Sequence, residues 1–359
     1  MARPPASAFQ GASGSQRRGA GEQGIPTQRS IEAEALIELL QGAIHDVLRQ
    51  VLPPGPLCLV DYPSHPNVGD SAIWVGEVEY LSRVRGVRPA YCCAATDYSA
   101  AELRESAPEG AILIHGGGNF GTLWPEHQDF RRELMERFPG RPIIQLPQSI
   151  HFSDESSIAD TARAIRNHGA FTLLVRDRAS FAFARSHFDC PVHLCPDMAF
   201  YMRREHRRPS RADLLCLLRT DKERKATLDD SLVPEGAIVT DWLTETRGER
   251  RGARFRATIR AALTGAAARR QARYDAFAWS RCRRGVRILS QGKVVISDRL
   301  HAHIISTMLG IPHVVLDNSY GKLSSFLAVW TSELESMRRA ETMEEALAQA
   351  RDLLACQKY

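Results

Sequence analysis

The feature that most constrains this chain is an alternation of short, wholly apolar runs with longer segments of helical periodicity. LCLVDY from Leu57, AYCCA from Ala90, AILIH from Ala111, PIIQL from Pro142, FTLLV from Phe171 and VHLC from Val192 recur through the first half. A strand that is apolar on both faces must be covered on both faces, which is the signature of a parallel sheet with helices above and below. Strand, helix and strand repeated in this way predict a doubly wound sheet. The basic stretch MRREHRRPSRA from Met202 interrupts the pattern as a linker, and the alternation resumes with DLLCLLR, AIVTDWL, KVVISD and HVVLD. The expected fold class is α/β, with two Rossmann-like doubly wound domains facing across a cleft. Their expected bounds are residues 30–205 and 206–335, with a disordered tail at 1–29 and a C-terminal helical tail at 336–359, where MEEALAQARDLLA starts at Met343. A length of 359 residues exceeds the size at which one core usually stops growing. Ligands of such folds bind beyond the carboxyl ends of the strands, so chemistry is sought there.

A first helix is expected from Ile31 to Val51, with Ser30 as N-cap, Glu32 and Glu34 in its first turn and Pro53-Pro54 as its stop. The residues before it are rich in Pro, Gly, Ser and Gln, contain no apolar segment of the secretory kind and cannot bury enough surface to order themselves. No run reaches the roughly 18 apolar residues of a spanning helix; Ser306, Gly310, Pro312 and His313 break the most apolar C-terminal stretch. Eight cysteines without a tight CxxC spacing are read as reduced, with Cys58, Cys92, Cys93, Cys190, Cys195 and Cys216 in or beside apolar runs, and a cytoplasmic location is the expectation. The net charge of +5 is concentrated between Arg247 and Arg287. That segment is expected to form one or two helices with breaks at Gly265 and Gly285. It is either a solvated face or a surface for an anionic partner such as a phosphate-bearing lipid head group. Nothing matches a nucleic-acid-binding module.

Four strand-to-helix junctions concentrate polar residues. In DYPSHPNVGDSAIWVGE, Asn67, Gly69 and Asp70 precede a helix expected near Ser71, whose open N–H groups suit an anion; the same residues also make an ordinary turn with an aspartate N-cap. In ILIHGGGNFG, Gly116, Gly117 and Gly118 let the backbone approach a ligand closely and Asn119 adds polar contacts, unless packing alone requires the turn. The run is neither GxGxxG nor a Walker sequence, which argues against a dinucleotide or an NTPase. In LLVRDRASFAFAR, Arg176 stands where a guanidinium reaches a cleft, with a salt bridge to Asp177 or Asp197 as the alternative, while Arg178 reads as solvated. In KVVISDRLHAHIISTMLGIPHVVLDNSYGKLSSF, Asp298, Arg299 and His301 crowd one strand end and Asn318, Ser319, Tyr320 and Lys322 the next. Packing alone does not explain that density of polar groups. His303, one helical step away, is read as a satisfied histidine. With no HExxH and no Cys/His ligand spacing, no metal site is expected.

Taken in order, Asn67-Val68-Gly69-Asp70 with Ala72-Ile73-Trp74, Gly116-Gly117-Gly118-Asn119-Phe120, Arg176-Asp177-x-x-Ser180, Pro196-Asp197, Arg299-Leu300-His301-Ala302, and Gly310-x-Pro312 followed by Tyr320 and Lys322 resemble the polysaccharide pyruvyl transferase family, particularly its bacterial exopolysaccharide members. The resemblance spans about Leu57 to Trp330. It implies a GT-B-like fold, phosphoenolpyruvate as donor substrate with no separate cofactor, and Arg299, Leu300, His301 and Arg176 in the active site. It also implies a lipid-linked oligosaccharide or polysaccharide acceptor, modified as a cyclic ketal.

Phosphoenolpyruvate carries a carboxylate and a phosphate, for which two arginines and a helix start are matching donors. His301 suits proton transfer to the methylene carbon and from the attacking hydroxyls. Arg299 and Arg176 would stabilise the departing phosphate, with Lys322 assisting. Peripheral contact of the arginine-rich segment with the inner membrane face is the corresponding expectation; that segment and the N-terminus depart from the family pattern. The competing reading is a nucleotide-sugar glycosyltransferase of similar architecture, whose retaining members often carry two glutamates eight residues apart; here Glu333 and Glu341 match that spacing only beyond the last expected strand. A non-catalytic sugar-binding or scaffold protein has no need of His and Arg at converging strand ends. Phosphate release separates these readings.

Overall fold

The computed structural model describes residues 31–221, 230–265, 268–317 and 322–356. The expected tail 1–29, Ser30, Asn318, Ser319, Tyr320 and the side chain of Lys322 lie outside the described residues.

The apolar runs form two parallel sheets. The first contains β1 (Leu57–Val60), β2 (Tyr91–Cys93), β3 (Ala111–Ile114), β4 (Gly117–Gly121), β5 (Ile143–His151), β6 (Phe171–Val175) and β7 (Val192–Leu194) in the order β2-β1-β3-β5-β6-β7, with β4 pairing on β5. Helices α1 (Ala33–Val51), α2 (Val68–Glu79), α3 (Ala100–Ser106), α4 (Pro125–Arg137), α5 (Glu155–His168) and α6 (Arg178–His187) accompany it. The second sheet contains β8 (Ala212–Leu217), β9 (Ile238–Thr240), β10 (Gly292–Ser297), β11 (His313–Leu316) and β12 (Met337–Ala340) in the order β12-β11-β10-β8-β9. Its helices are α7 (Arg247–Ala262), α8 (Arg269–Leu289), α9 (Leu300–Met308), α10 (Lys322–Trp330) and α11 (Met343–Cys356). In each sheet the chain reverses direction of winding between its first and third strands, at β1/β3 and at β8/β10. Doubly wound sheets open a crevice at that point.

Several expectations need correction. Helix α1 starts at Ala33 with Glu32 as N-cap and no side-chain capping bond, while Ile31 forms a bridge to Leu334. Helix α2 starts at Val68 rather than near Ser71, because Asn67 Oδ1 accepts the Gly69 N–H at 2.9 Å. Gly285 does not break a helix: it lies inside α8, where an added Cβ would stand 2.4 Å from Val68 Cγ1. Its missing side chain lets α8 and α2 pack closely. Strands β4 and β12 carry too few apolar residues to read as strands, and β12 adds an edge to the second sheet before α11 packs on it.

One hydrophobic cluster joins the halves. It runs from Leu36, Ile44 and Leu59 through Trp74 and Trp279 to Leu215, Val295 and Phe326. Polar pins cross the same seam. Arg281 donates to the carbonyls of Pro63 and Ser64, Arg284 to those of Pro66 and Trp242, and Trp74 Nε1 donates to Asp275 Oδ1 at 3.0 Å. Glu245 Oε1 neutralises both guanidiniums, at 2.9 Å from Arg281 Nε and 3.1 Å from Arg284 Nη1. The arginine-rich segment is thus split: these two residues are buried structural cations, not part of a solvated face. Replacing Glu245 with Ala strands two buried charges, so a loss of about 3 kcal/mol is expected. Urea unfolding with a lowered midpoint and an unchanged slope would register it.

Candidate active site

The two switch points converge on one cavity of about 490 Å3. The end of β1 leads to Asn67 and Asp70, the end of β3 supplies His115 and Gly116, β4 supplies Gly118 and Asn119, and β6 leads to Arg176. From the second sheet, β8 supplies Arg219 and Asp221, and β10 supplies Arg299, Leu300 and His301. The candidate residues within the described chain therefore come together, with two qualifications. Gly69 lies beneath His301, and Gly117 backs onto Ile73 and Asp70 with φ of 128°. Asp298 does not line the cavity; its Oδ1 accepts the Arg219 N–H at 2.9 Å, and burial lifts its pKa to about 6.

Local folding explains the motifs. Asp177 caps α6 by accepting from Ser180 N–H at 2.8 Å, which holds Arg176 at the last position before the helix. Arg176 Nε donates to Ser149 Oγ at 3.0 Å and Nη1 to Asp197 Oδ2 at 2.6 Å; no described residue takes up its Nη2. The same Asp197 Oδ2 stands 3.4 Å from His301 Nε2, so one carboxylate oxygen ties a group of the first sheet to one of the second. Burial alone would raise the Asp197 pKa, but His301, Arg176 and the Ala199 N–H hold it well below the ordinary carboxylate range. Arg299 is buried and engaged by bidentate contact, with Nε and Nη2 each 2.7 Å from Asp241 and Nη2 3.0 Å from Asp221.

The expected anion cradles are already occupied by protein. Asn67 accepts the Gly69 N–H in the first turn of α2 and donates to Asp70 Oδ2 at 2.8 Å, placing a carboxylate where an anion was expected. The Gly116 N–H donates to Glu77 Oε1, and the Asn119 N–H to Gln148 Oε1. Packing fixes the glycines: a Cβ on Gly116 would meet Pro147 O at 2.8 Å.

Sequence reasoning found His301 but missed His65, His115 and His127. Four imidazoles line the cavity, each against a carboxylate: His65 with Asp70, His115 with Glu77, His127 with Asp61, and His301 with Asp197. His115 is buried, its Nδ1 2.8 Å from Glu77 Oε2 and its Nε2 without a hydrogen-bond partner among the described residues. Burial works against a charge there, but Glu77, with Asp70 and Asp61, outweighs it and raises the His115 pKa. His127 behaves alike: burial lowers, and the hydrogen-bonded Asp61 raises, with a net rise. Asp61 reaches it from a left-handed backbone, φ 69°, a strained conformation of the sort found at functional sites. Burial keeps the His65 pKa low despite Asp70. A signal was present in the sequence: His115 follows an apolar strand directly, and Asp61 ends another. Among the described residues no group of three His, Cys, Asp or Glu stands where it could hold a metal ion.

The cavity thus brings guanidiniums and histidine–carboxylate pairs together at the switch points of two parallel sheets, where ligands of such folds bind. The model of the family described as polysaccharide pyruvyl transferase matches residues 67–320. "Pyruvyl transferase 1" of Schizosaccharomyces pombe is 33% identical over 287 residues, covering 76% of this chain and 69% of the relative. "Putative pyruvyl transferase EpsO" of Bacillus subtilis is 30% identical over 286 residues, covering 77% and 86%. A crystal structure from Klebsiella pneumoniae, of a functional uncharacterized protein, is similar in fold at a TM-score of 0.56 and 20% identity, over 84% of this chain and 98% of that one. The chain belongs to the polysaccharide pyruvyl transferase family and is a transferase enzyme.

Gly69 gives the sharpest test of the geometry. A Cβ there would stand 2.4 Å from His301 Nδ1, so Gly69→Ala must displace the imidazole. A displacement near 1 Å costs about 100-fold in rate. Steady-state transfer should fall by that order while the circular dichroism spectrum stays unchanged.

Proposed function

We propose that the enzyme moves the enolpyruvyl group of phosphoenolpyruvate onto two hydroxyls of one sugar in a polysaccharide or lipid-linked oligosaccharide repeat unit, forming a cyclic ketal and releasing inorganic phosphate. In this reading the two sheets are Rossmann-like domains facing across the cavity in a GT-B-like arrangement, and the enzyme works in the cytoplasm. The observation that carries it is the sharing of Asp197 by Arg176 and His301, which sets a cation beside a proton carrier at one wall of the cavity.

The chemistry balances in four steps. A proton reaches the methylene carbon, leaving positive charge at the carbon that bears the carboxylate and phosphate. A sugar hydroxyl adds there and gives up its proton. The carbon–oxygen bond to phosphate breaks, and the second hydroxyl closes the ring and loses its own proton. Of the two hydroxyl protons, one replaces that spent on the methyl group and one leaves on phosphate. His301 is the proton carrier, oriented by Asp197, and His115, with its open Nε2 and raised pKa, can serve the opposite side. Arg176 holds the donor's charge through its remaining edge. Arg299, saturated by Asp241 and Asp221 on two of its nitrogens, acts as a fixed positive charge. The glycosyltransferase alternative is not favoured by the structure: Glu333 and Glu341 are exposed and line no part of the cavity.

The decisive experiment supplies phosphoenolpyruvate with a panel of glycosides and follows phosphate release and product mass. Release coupled to a pyruvate ketal supports the reading; turnover of a nucleotide sugar alone overturns it. His301→Ala, still folded, should lower the rate at least about 100-fold. pH dependence follows from His127. Its folded-state pKa is raised, so its positive charge is present below the ordinary value near 6.5 and is lost as pH rises through the raised value. The donor KM should accordingly climb from pH 6 toward pH 9, and His127→Gln should flatten that climb; an unchanged profile in the variant would remove His127 from donor binding.

A further inference from the structure

Helix α7 carries a face that the transfer chemistry does not use. Its inner side is built from small residues, with Ala253 and Ala257 buried where α7 meets α8. On the other side Phe255 and Ile259, with Leu263 at the C-cap still in helical backbone, recur at four-residue spacing and are 68%, 45% and 81% exposed. Residues four apart share one helix face, so these three form a continuous apolar ridge pointing into solvent. Single exposed apolar residues are ordinary; a row of three on one face is not. At about 100° per residue, Arg251 falls on one flank of the ridge, with Arg254 further round the same side, and Arg260 on the other, all exposed. The helix contains one acidic residue, Glu249, and its carboxylate is engaged by Arg287 and by the cap residue Thr246.

We infer that α7 docks on an anionic lipid surface, lying flat with Phe255, Ile259 and Leu263 in the acyl boundary and the flanking arginines among the phosphates. Apolar ridge and cationic flanks are the two terms that hold an interfacial helix, and each is weak without the other. Other occupants fit less well. A second copy meeting this face about a twofold axis would bring arginine flank against arginine flank, and the ridge falls far short of the roughly 20 residues a side of a stable interface. A nucleic-acid backbone would have to seat phosphates around an apolar centre that makes no hydrogen bonds. The purpose of the contact rests on the proposed acceptor: a lipid-linked sugar is presented at such a surface, and Thr246, which caps α7, is three residues beyond the cavity-lining Leu243.

Flotation of the full chain with vesicles tests this without any activity measurement. With phosphatidylcholine containing about 30 mol% phosphatidylglycerol the protein should float, and with phosphatidylcholine alone it should remain in the dense fraction. Phe255→Ser with Ile259→Ser should lower partition at least about tenfold, and Arg251→Glu with Arg254→Glu about fivefold per arginine, with thermal unfolding of both variants unchanged. Flotation of the serine variant at the wild-type level would reduce the contact to charge alone and overturn the inference. So would absence of flotation, a ridge-dependent dimer in light scattering, or a ridge-dependent shift of duplex DNA or RNA. Phosphate release measured on a water-soluble glycoside keeps the two readings apart: if wild-type protein releases none, the donor reading fails while the flotation result still stands.

Discussion

Asp197 Oδ2 is the atom on which the rest of the site depends. A carboxylate as buried as this one is costly unless matched by positive partners and backbone N–H groups. It finds Arg176 from one sheet, His301 from the other and the Ala199 N–H at its own 3-10 turn. The constraint runs both ways. Arg176 can lie buried at the end of β6 because the charge facing it is fixed, and the His301 ring fits with one edge 3.4 Å from Asp197 because Gly69 leaves room for the other. The motifs Asn-Val-Gly-Asp, Arg-Asp-x-x-Ser, Pro-Asp and Arg-Leu-His are therefore parts of a single contact set.

Much of the framework was legible in the residues. Strands buried on both faces carry an apolar pattern that polar substitution cannot disguise, and ten of the twelve were readable from it, among them β1, β6 and β10. Strand β4 was not, because its glycines and asparagine carry no apolar pattern; nor was β12, an edge with two arginines at its centre. Arg176, Arg299 and His301 were found by their place at strand ends, and the structure puts them on one cavity. His115, His127 and Asp61 escaped notice because a sequence displays residue types but not partners. The same limit hid Arg131, fully buried and held by Gln128, Gln145 and Asn119 under the glycine turn. Arginine density between Arg247 and Arg287 likewise looked uniform, yet α8 turns Arg281 and Arg284 inward while α7 turns its arginines outward.

The glycine segment shows how the needs of the cavity and of packing coincide. Gly116 is required by the Pro147 carbonyl, and its N–H is spent on Glu77, whose other oxygen holds His115. Close packing thus sets the position of a buried histidine on the cavity wall.

The hydrophobic seam through α1, α2, α8 and α9 bears on how such an enzyme could diversify. Two sheets joined by an exposed linker would be interchangeable cassettes, so that a new acceptor half could be exchanged at the linker and leave the donor half intact. Here residues from both sides of Met202–Ala212 interleave in one core, and Ile31, just before α1, is strapped to Leu334 near the other end of the described chain. Recombination at that linker would sever the core rather than divide it. New specificities in this scaffold must therefore arise by change within loops, with both halves inherited together.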